Sequence, residues 1–145
     1  MPLVGGAPTI FATGQNEPIQ IVADGASVFW VNNGTMQIDC RPPDGQIVKA
    51  PVGGGKPVVL ASNVVGVAYL SVASGTAYFS AVGNRCDGFD LAEGIVAKVP
   101  PDGGPPTPLA TAQFSPGAIV INGPCLYYTT TTGETTAGAV LAVAD

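Results

Sequence analysis

A chain of 145 residues and 14.4 kDa is long enough for one ordinary domain with a real core and short for two. Its 20 Gly and 14 Pro stand beside 46% hydrophobic and only 10% charged residues, which excludes a disordered acidic tail and a coiled coil. A net charge of −5 offers no basic footprint for nucleic acid, and the absence of His removes Ser-His-Asp and Cys-His nucleophiles, His zinc sites and imidazole pH switches.

In chain order, residues 1–14 hold no Lys or Arg and no long apolar core, so no signal peptide is expected within them. The expectation is a mature chain of an extracellular or periplasmic protein. A first strand is expected over Thr9–Ala12, followed by Pro18–Ala23, an Asp24-Gly25 turn, and Ser27–Asn32. After the loop Asn33–Gly45 come Gln46–Pro51, the Gly53–Gly55 cluster and Pro57–Ala61. The uncharged run Val58–Asn84 is long enough to cross a bilayer. Its Ser62, Asn63, Ser71, Ser74, Gly75, Thr76 and Ser80 mark it instead as two or three buried strands, with no membrane span. The last expected strands are Gly117–Asn122, Leu126–Thr131 and Gly138–Val143.

One spacing organises these elements. Pro2-Leu3-Val4-Gly5-Gly6 returns as Pro51-Val52-Gly53-Gly54-Gly55 and Pro100-Pro101-Asp102-Gly103-Gly104. Phe11-Ala12-Thr13 returns as Leu60-Ala61-Ser62 and Leu109-Ala110-Thr111, and Phe29-Trp30 as Tyr78-Phe79 and Tyr127-Tyr128. Every step is 49 residues, which defines repeats 2–50, 51–99 and 100–143 of a single domain, 1–145. Four short strands per repeat is the plan of a β-propeller blade.

The string TGQNEPIQIVADGASVFWVNNG…GQIVKAPVGGGKPVVLAS resembles the propeller repeats of the YWTD, or low-density-lipoprotein-receptor class B, type, in their bacterial secreted form. The resemblance spans all three units and implies a propeller fold. Phe29-Trp30-Val31-Asn32 approximates the family's aromatic strand, whereas Tyr78-Phe79-Ser80-Ala81 and Tyr127-Tyr128-Thr129-Thr130 lack its acidic or amide end.

With the strands of a blade labelled A to D from the channel outward, the chain opens on a D strand, runs through two full blades and closes with A, B and C. Three four-stranded blades are too few to close, because propellers use about four to eight. The expectation is half of a six-bladed ring, completed by a homodimer in which each chain lends its first strand to the other's last blade.

The longer connections lie on one face. They carry Glu17, Asp39, Asp44, Asp87, Asp90, Glu93 and Glu134 against Arg41 and Arg85, equal to the whole net charge. The candidate ligand-binding face is therefore Glu17, Asp39, Arg41, Arg85, Asp87, Asp90 and Glu93, facing a cation, a carbohydrate or a protein; solvation alone is the plainer reading. Asp87, Asp90 and Glu93 are the candidate Ca²⁺ ligands, although their spacing fits no EF-hand. Asp39, Arg41 and Asp44 read as a local ion pair beside Pro42-Pro43. Cys40 and Cys86 occupy matching loops; a disulfide between them and free thiols both stay open, and Cys125 reads as a packing residue. The aromatic pairs send one ring to each side of their blade.

Three functions compete. The first is a non-enzymatic binding or structural module that assembles with itself and needs no cofactor. The second is a metal-dependent propeller enzyme of the lactonase or lyase kind, and the third a fragment of a longer propeller without activity of its own.

Overall fold

The computed structural model of the chain describes residues 5–34, 43–83, 93–131 and 138–145. Among them are eleven strands and no helix. They are β1 (Pro18–Ala23), β2 (Ser27–Asn32), β3 (Gly45–Pro51), β4 (Val58–Val64), β5 (Val67–Ala73), β6 (Thr76–Ala81), β7 (Gly94–Val99), β8 (Thr107–Gln113), β9 (Ile119–Asn122), β10 (Cys125–Thr131) and β11 (Gly138–Ala144). Each repeat makes one antiparallel sheet, β1-β2-β3-β4, β5-β6-β7-β8 and β9-β10-β11. The first strands β1, β5 and β9 lie side by side, as the inner strands of a propeller do.

The turns follow from backbone chemistry at repeat positions. Between β5 and β6 a two-residue turn places both Ser74 and Gly75 at positive φ, 49° and 79°, the conformation that matches the twist of a tight hairpin. Asp24 opens the corresponding turn of the first sheet, its Oδ1 accepting from the Ala26 and Ser27 amides at 3.1 and 2.9 Å. The backbone donors hold the Asp24 carboxyl below its usual range, that of Ser27 most strongly.

Alternation along each strand gives every sheet a front and a back. Phe29, Val31 and Ile47 leave the back of sheet 1 and pack against Ala77, Phe79, Ala81, Ala97 and Val99 on the front of sheet 2. Tyr78 and Val96 leave the back of sheet 2 and meet Ile119, Leu126 and Tyr128 of sheet 3. The last strand of each sheet packs on the sheet after it, with Leu60 and Ala61 in the first interface and Leu109 and Ala110 in the second. Polar contacts repeat as well. Lys49 Nζ donates to the Pro101 carbonyl at 2.5 Å, and Lys98, one repeat on, pairs with Asp145. Ser80 Oγ donates to the Gly117 carbonyl at 2.7 Å.

The back of sheet 3 has no such cover, and on the front of sheet 1 the segment at Ala12 covers Trp30, Val48 and Ala50 but leaves Ile21 open. Ile47 is 0% exposed, whereas Val140, its counterpart in sheet 3, is 74% exposed. Ile21 on the outer front is 75% exposed, and Val120 and Tyr127 on the outer back are 60% and 40% exposed.

Two expectations about elements are corrected. Residues 9–12 form no strand, because a strand needs a hydrogen-bonded neighbour and these have none among the described residues; eleven strands replace the expected twelve. The fourth strand of sheet 1 starts at Val58 and reaches Val64, beyond the expected Ala61, carried past the hydroxyl and amide residues by a bulge. The uncharged run is the three strands β4, β5 and β6, and no helix among the described residues is long and apolar enough to cross a membrane.

Candidate functional site

Of the acidic loop face, Glu17, Asp44 and Glu93 fall within the described residues. Asp39, Cys40, Arg41, Arg85, Cys86, Asp87, Asp90 and Glu134 lie outside them, and with them the candidate Ca²⁺ ligands Asp87 and Asp90 and the Cys40–Cys86 bridge. Glu17 sits where the chain enters β1, in the left-handed region with φ 48°, as Gly66 and Ser115 do one and two repeats later. Its carbonyl accepts from the Asn33 amide at 3.0 Å, which ties this turn to the end of β2. Asp44 and Glu93 stand one repeat apart, each against a left-handed glycine, Gly34 (φ 77°) and Gly83 (φ 79°). Gly34 takes φ 77°, and a Cβ there would lie 2.9 Å from the Gly45 backbone nitrogen as well as against the Asp44 carboxylate, so this turn favours glycine. Among the described residues no three His, Cys, Asp or Glu side chains gather as a metal site. Cys125 starts β10, where it is half-buried.

At the same end of the sheets, each repeat builds a slot between the segment that leads into a sheet and the end of that sheet's second strand. In the first repeat the slot is amide-lined. Gln15 Oε1 accepts from Trp30 Nε1 at 2.9 Å and from Asn32 Nδ2 at 3.0 Å, while Gln15 Nε2 donates to the Thr13 carbonyl at 2.7 Å. Asn32 is 5% exposed, and its Oδ1 is buried without a hydrogen-bond partner. In the third repeat Tyr128 donates to Gln113 Oε1 at 2.8 Å, Gln113 Nε2 donates to the Thr111 carbonyl at 2.7 Å, and Thr130 Oγ1 donates to the Phe114 carbonyl at 2.5 Å. Burial pushes the Tyr128 hydroxyl up from its ordinary value. The middle repeat has Val64, Phe79 and Ala81 at those positions, which cannot bridge in this way, and a cavity of about 400 Å³ lies there.

A second concavity, of about 290 Å³, opens on the free front of sheet 1 between Phe11, Ala12, Gln15, Ile19, Ile21 and Trp30. Phe11 meets Trp30 edge-on, with ring centroids 6.4 Å apart at 80°. One repeat later Phe11, Ala12, Gln15, Ile21 and Trp30 become Leu60, Ala61, Val64, Leu70 and Phe79, all members of the interface between sheets 1 and 2. The cleft is the same interface with one side missing.

These slots and this cleft were not anticipated from the chain. The 49-residue step that aligned Phe29-Trp30 with its echoes also aligns Gln15, Val64 and Gln113. The signal was present, in single residues that resemble no motif.

No protein-family model matches the chain, and no curated protein matches it. Among solved structures, 23 chains are similar to it. One belongs to the crystal structure of a nidogen/laminin complex, at TM-score 0.61 and 20% identity, covering 89% of this chain and 44% of that one. The chain thus spans less than half the length of that neighbour, and the likeness is one of fold: an all-β, propeller-like arrangement of antiparallel sheets.

Proposed function

We propose that the chain is a non-enzymatic binding and structural module that completes a six-bladed propeller with a second copy of itself by exchanging strands. The observation that carries this is positional. Repeat positions buried at the two internal interfaces are exposed on the back of sheet 3, at Val120, Tyr127 and Val140, and at Ile21 on the front of sheet 1, where Trp30, Val48 and Ala50 are buried with Ala12 packed on them.

Residues 9–15 support the exchange. They repeat β4 and β8 in sequence step, and Gly14, Asn63 and Ala112 share a left-handed kink with φ of 70°, 59° and 55°. Ala12 packs on Trp30, Val48 and Ala50 as Ala61 and Ala110 pack on the sheets that follow them. The segment is conformed and seated as an outer strand, and β11 is an outer edge without one. The pairings Ile47–Ala61 and Val96–Ala110 in the two complete sheets carry over to Val140 with Ala12 of the second copy, and Val48–Val59 carries over to Leu141 with Ile10.

The assembled ring offers its loop face to a protein ligand in an extracellular or periplasmic setting, consistent with a propeller-like neighbour solved in a two-protein complex. In a sample mixed from isotope-labelled and unlabelled chains, filtered NOEs should link Ala12 of one chain to Val140 of another. Their absence from a folded sample at high concentration would overturn the exchange.

A further inference from the structure

We infer that the slot of the middle repeat is a binding site for a small primary amine with an apolar body. It lies within one chain, between sheets 1 and 2, and does not depend on assembly. Its walls include Val64, Phe79, Ala81 and Ile95, of which the first three are core residues. Asn63 and Glu93 supply polar groups to its lining, and Glu93 is the one ionisable residue among the described residues there. A volume of about 400 Å³ falls in the range of ligand pockets, about 300–1,000 Å³.

The repeat explains why the space exists. Position for position, the first repeat has Gln15, Trp30, Asn32 and Gln46 where the second has Val64, Phe79, Ala81 and Ile95. In the first repeat Gln15 spans the slot by hydrogen bonds to Trp30 and Asn32, and in the third Gln113 reaches Tyr128. The second repeat has exchanged both bridging partners for shorter apolar groups, while an acidic residue is kept beside the slot, Asp44 becoming Glu93. Slots bridged by glutamine on either side and an apolar, unbridged one between them are chemically distinct devices built on one frame.

The chemistry of the lining selects the ligand. Apolar walls reward a hydrocarbon or aromatic body by the area removed from water. An acidic residue, with no Lys or Arg among the described lining residues, favours an ammonium head and disfavours a carboxylate one. Backbone-directed recognition of a larger polar molecule has little to work with, because the lining is mostly hydrocarbon.

Phenethylammonium is the probe, with 2-phenylethanol and phenylacetate as neutral and anionic counterparts of similar shape. Titration followed by amide chemical shifts should give saturable changes at Val64, Ala81 and Ile95, with the amine bound at least about tenfold tighter than the alcohol and the acid unbound. Glu93→Gln should bring amine and alcohol to equal affinity; Glu93 is exposed, so this variant keeps the fold. Val64→Gln with Ala81→Asn, which copies the first repeat, should abolish binding of both. No saturable shifts in the native chain, an amine preference that survives Glu93→Gln, or undiminished binding by the folded double variant would each overturn the inference. Should the double variant fail to fold by thermal melt, Ala81→Thr, the third repeat's residue, takes its place with the same expected loss.

Discussion

Asp145 holds together the last contact between sheets 2 and 3. Its carboxylate accepts from the Lys98 ammonium and the Tyr78 hydroxyl, and these donors, Lys98 foremost, hold it below the usual carboxylate range. Burial first, and then the Asp145 hydrogen bond, push the Tyr78 hydroxyl up to about 12. The signs are opposite. A depressed carboxyl stabilises the fold above its unfolded value and loses that contribution as pH falls through the folded one. A raised phenol stabilises below its unfolded value and loses the contribution as pH climbs from 10 towards 12. Asp145→Asn should therefore melt below the native chain at neutral pH, with the gap closing in acid, as a series of thermal melts across pH would read. Core rings answer to volume instead. Phe79→Ala, at a fully buried position, should cost about 3–5 kcal/mol in denaturant unfolding.

At the scale of the strand and turn, equivalent glycines serve unequal roles. Gly54 and Gly103 share a left-handed backbone at φ 89° and 80°, yet a Cβ on Gly54 meets nothing while one on Gly103 lies 2.9 Å from the Leu60 carbonyl oxygen. The Gly104 amide donates to that same carbonyl at 2.9 Å, so the turn of sheet 2 is clamped on the outer strand of sheet 1. Gly54→Ala should cost about 1–2 kcal/mol from the backbone alone, and Gly103→Ala distinctly more, measured by urea midpoints. Most elements were legible in the chain because each is bounded by turn residues recurring at one period. Thr9–Ala12 reads as an outer strand in the chain but forms none, since pairing is a property of two segments. The far end of β4 was hidden because Ser62 and Asn63 read as a turn, whereas in the structure a bulge at the left-handed Asn63 carries the pairing on to Val64. The polar slots were hidden for another reason: a bridge such as Gln15–Trp30 joins residues fifteen apart whose relation is set only once the sheet is stacked.

For the whole molecule, the repeat determines what is buried and what is left open. Interior interfaces use Phe29, Ile47 and Leu60 on one side and Ala77, Phe79 and Val99 on the other. The outer faces present the same kinds of residue to solvent at Ile21, Val120, Tyr127 and Val140. Contiguous apolar faces of this kind mark contact surfaces. A single charge in the middle of one of them should separate the copies without unfolding either, so Val140→Lys should run as a folded single chain in gel filtration. Tyr127→Ala, harmless to a lone chain where the ring is half exposed, should weaken the assembly as Phe29→Ala weakens the internal interface. The acidic loop face, by contrast, was legible only as a charge distribution. Glu17, Asp44 and Glu93 are at this end of the fold, with two of them at equivalent glycine turns, and they do not gather into one site. The central claim is that a second copy covers both open faces, and the solution mass by light scattering after gel filtration tests it most directly. One species at twice 14.4 kDa is expected, and a cooperatively folded species at 14.4 kDa, persisting at high concentration, would overturn the two-copy ring.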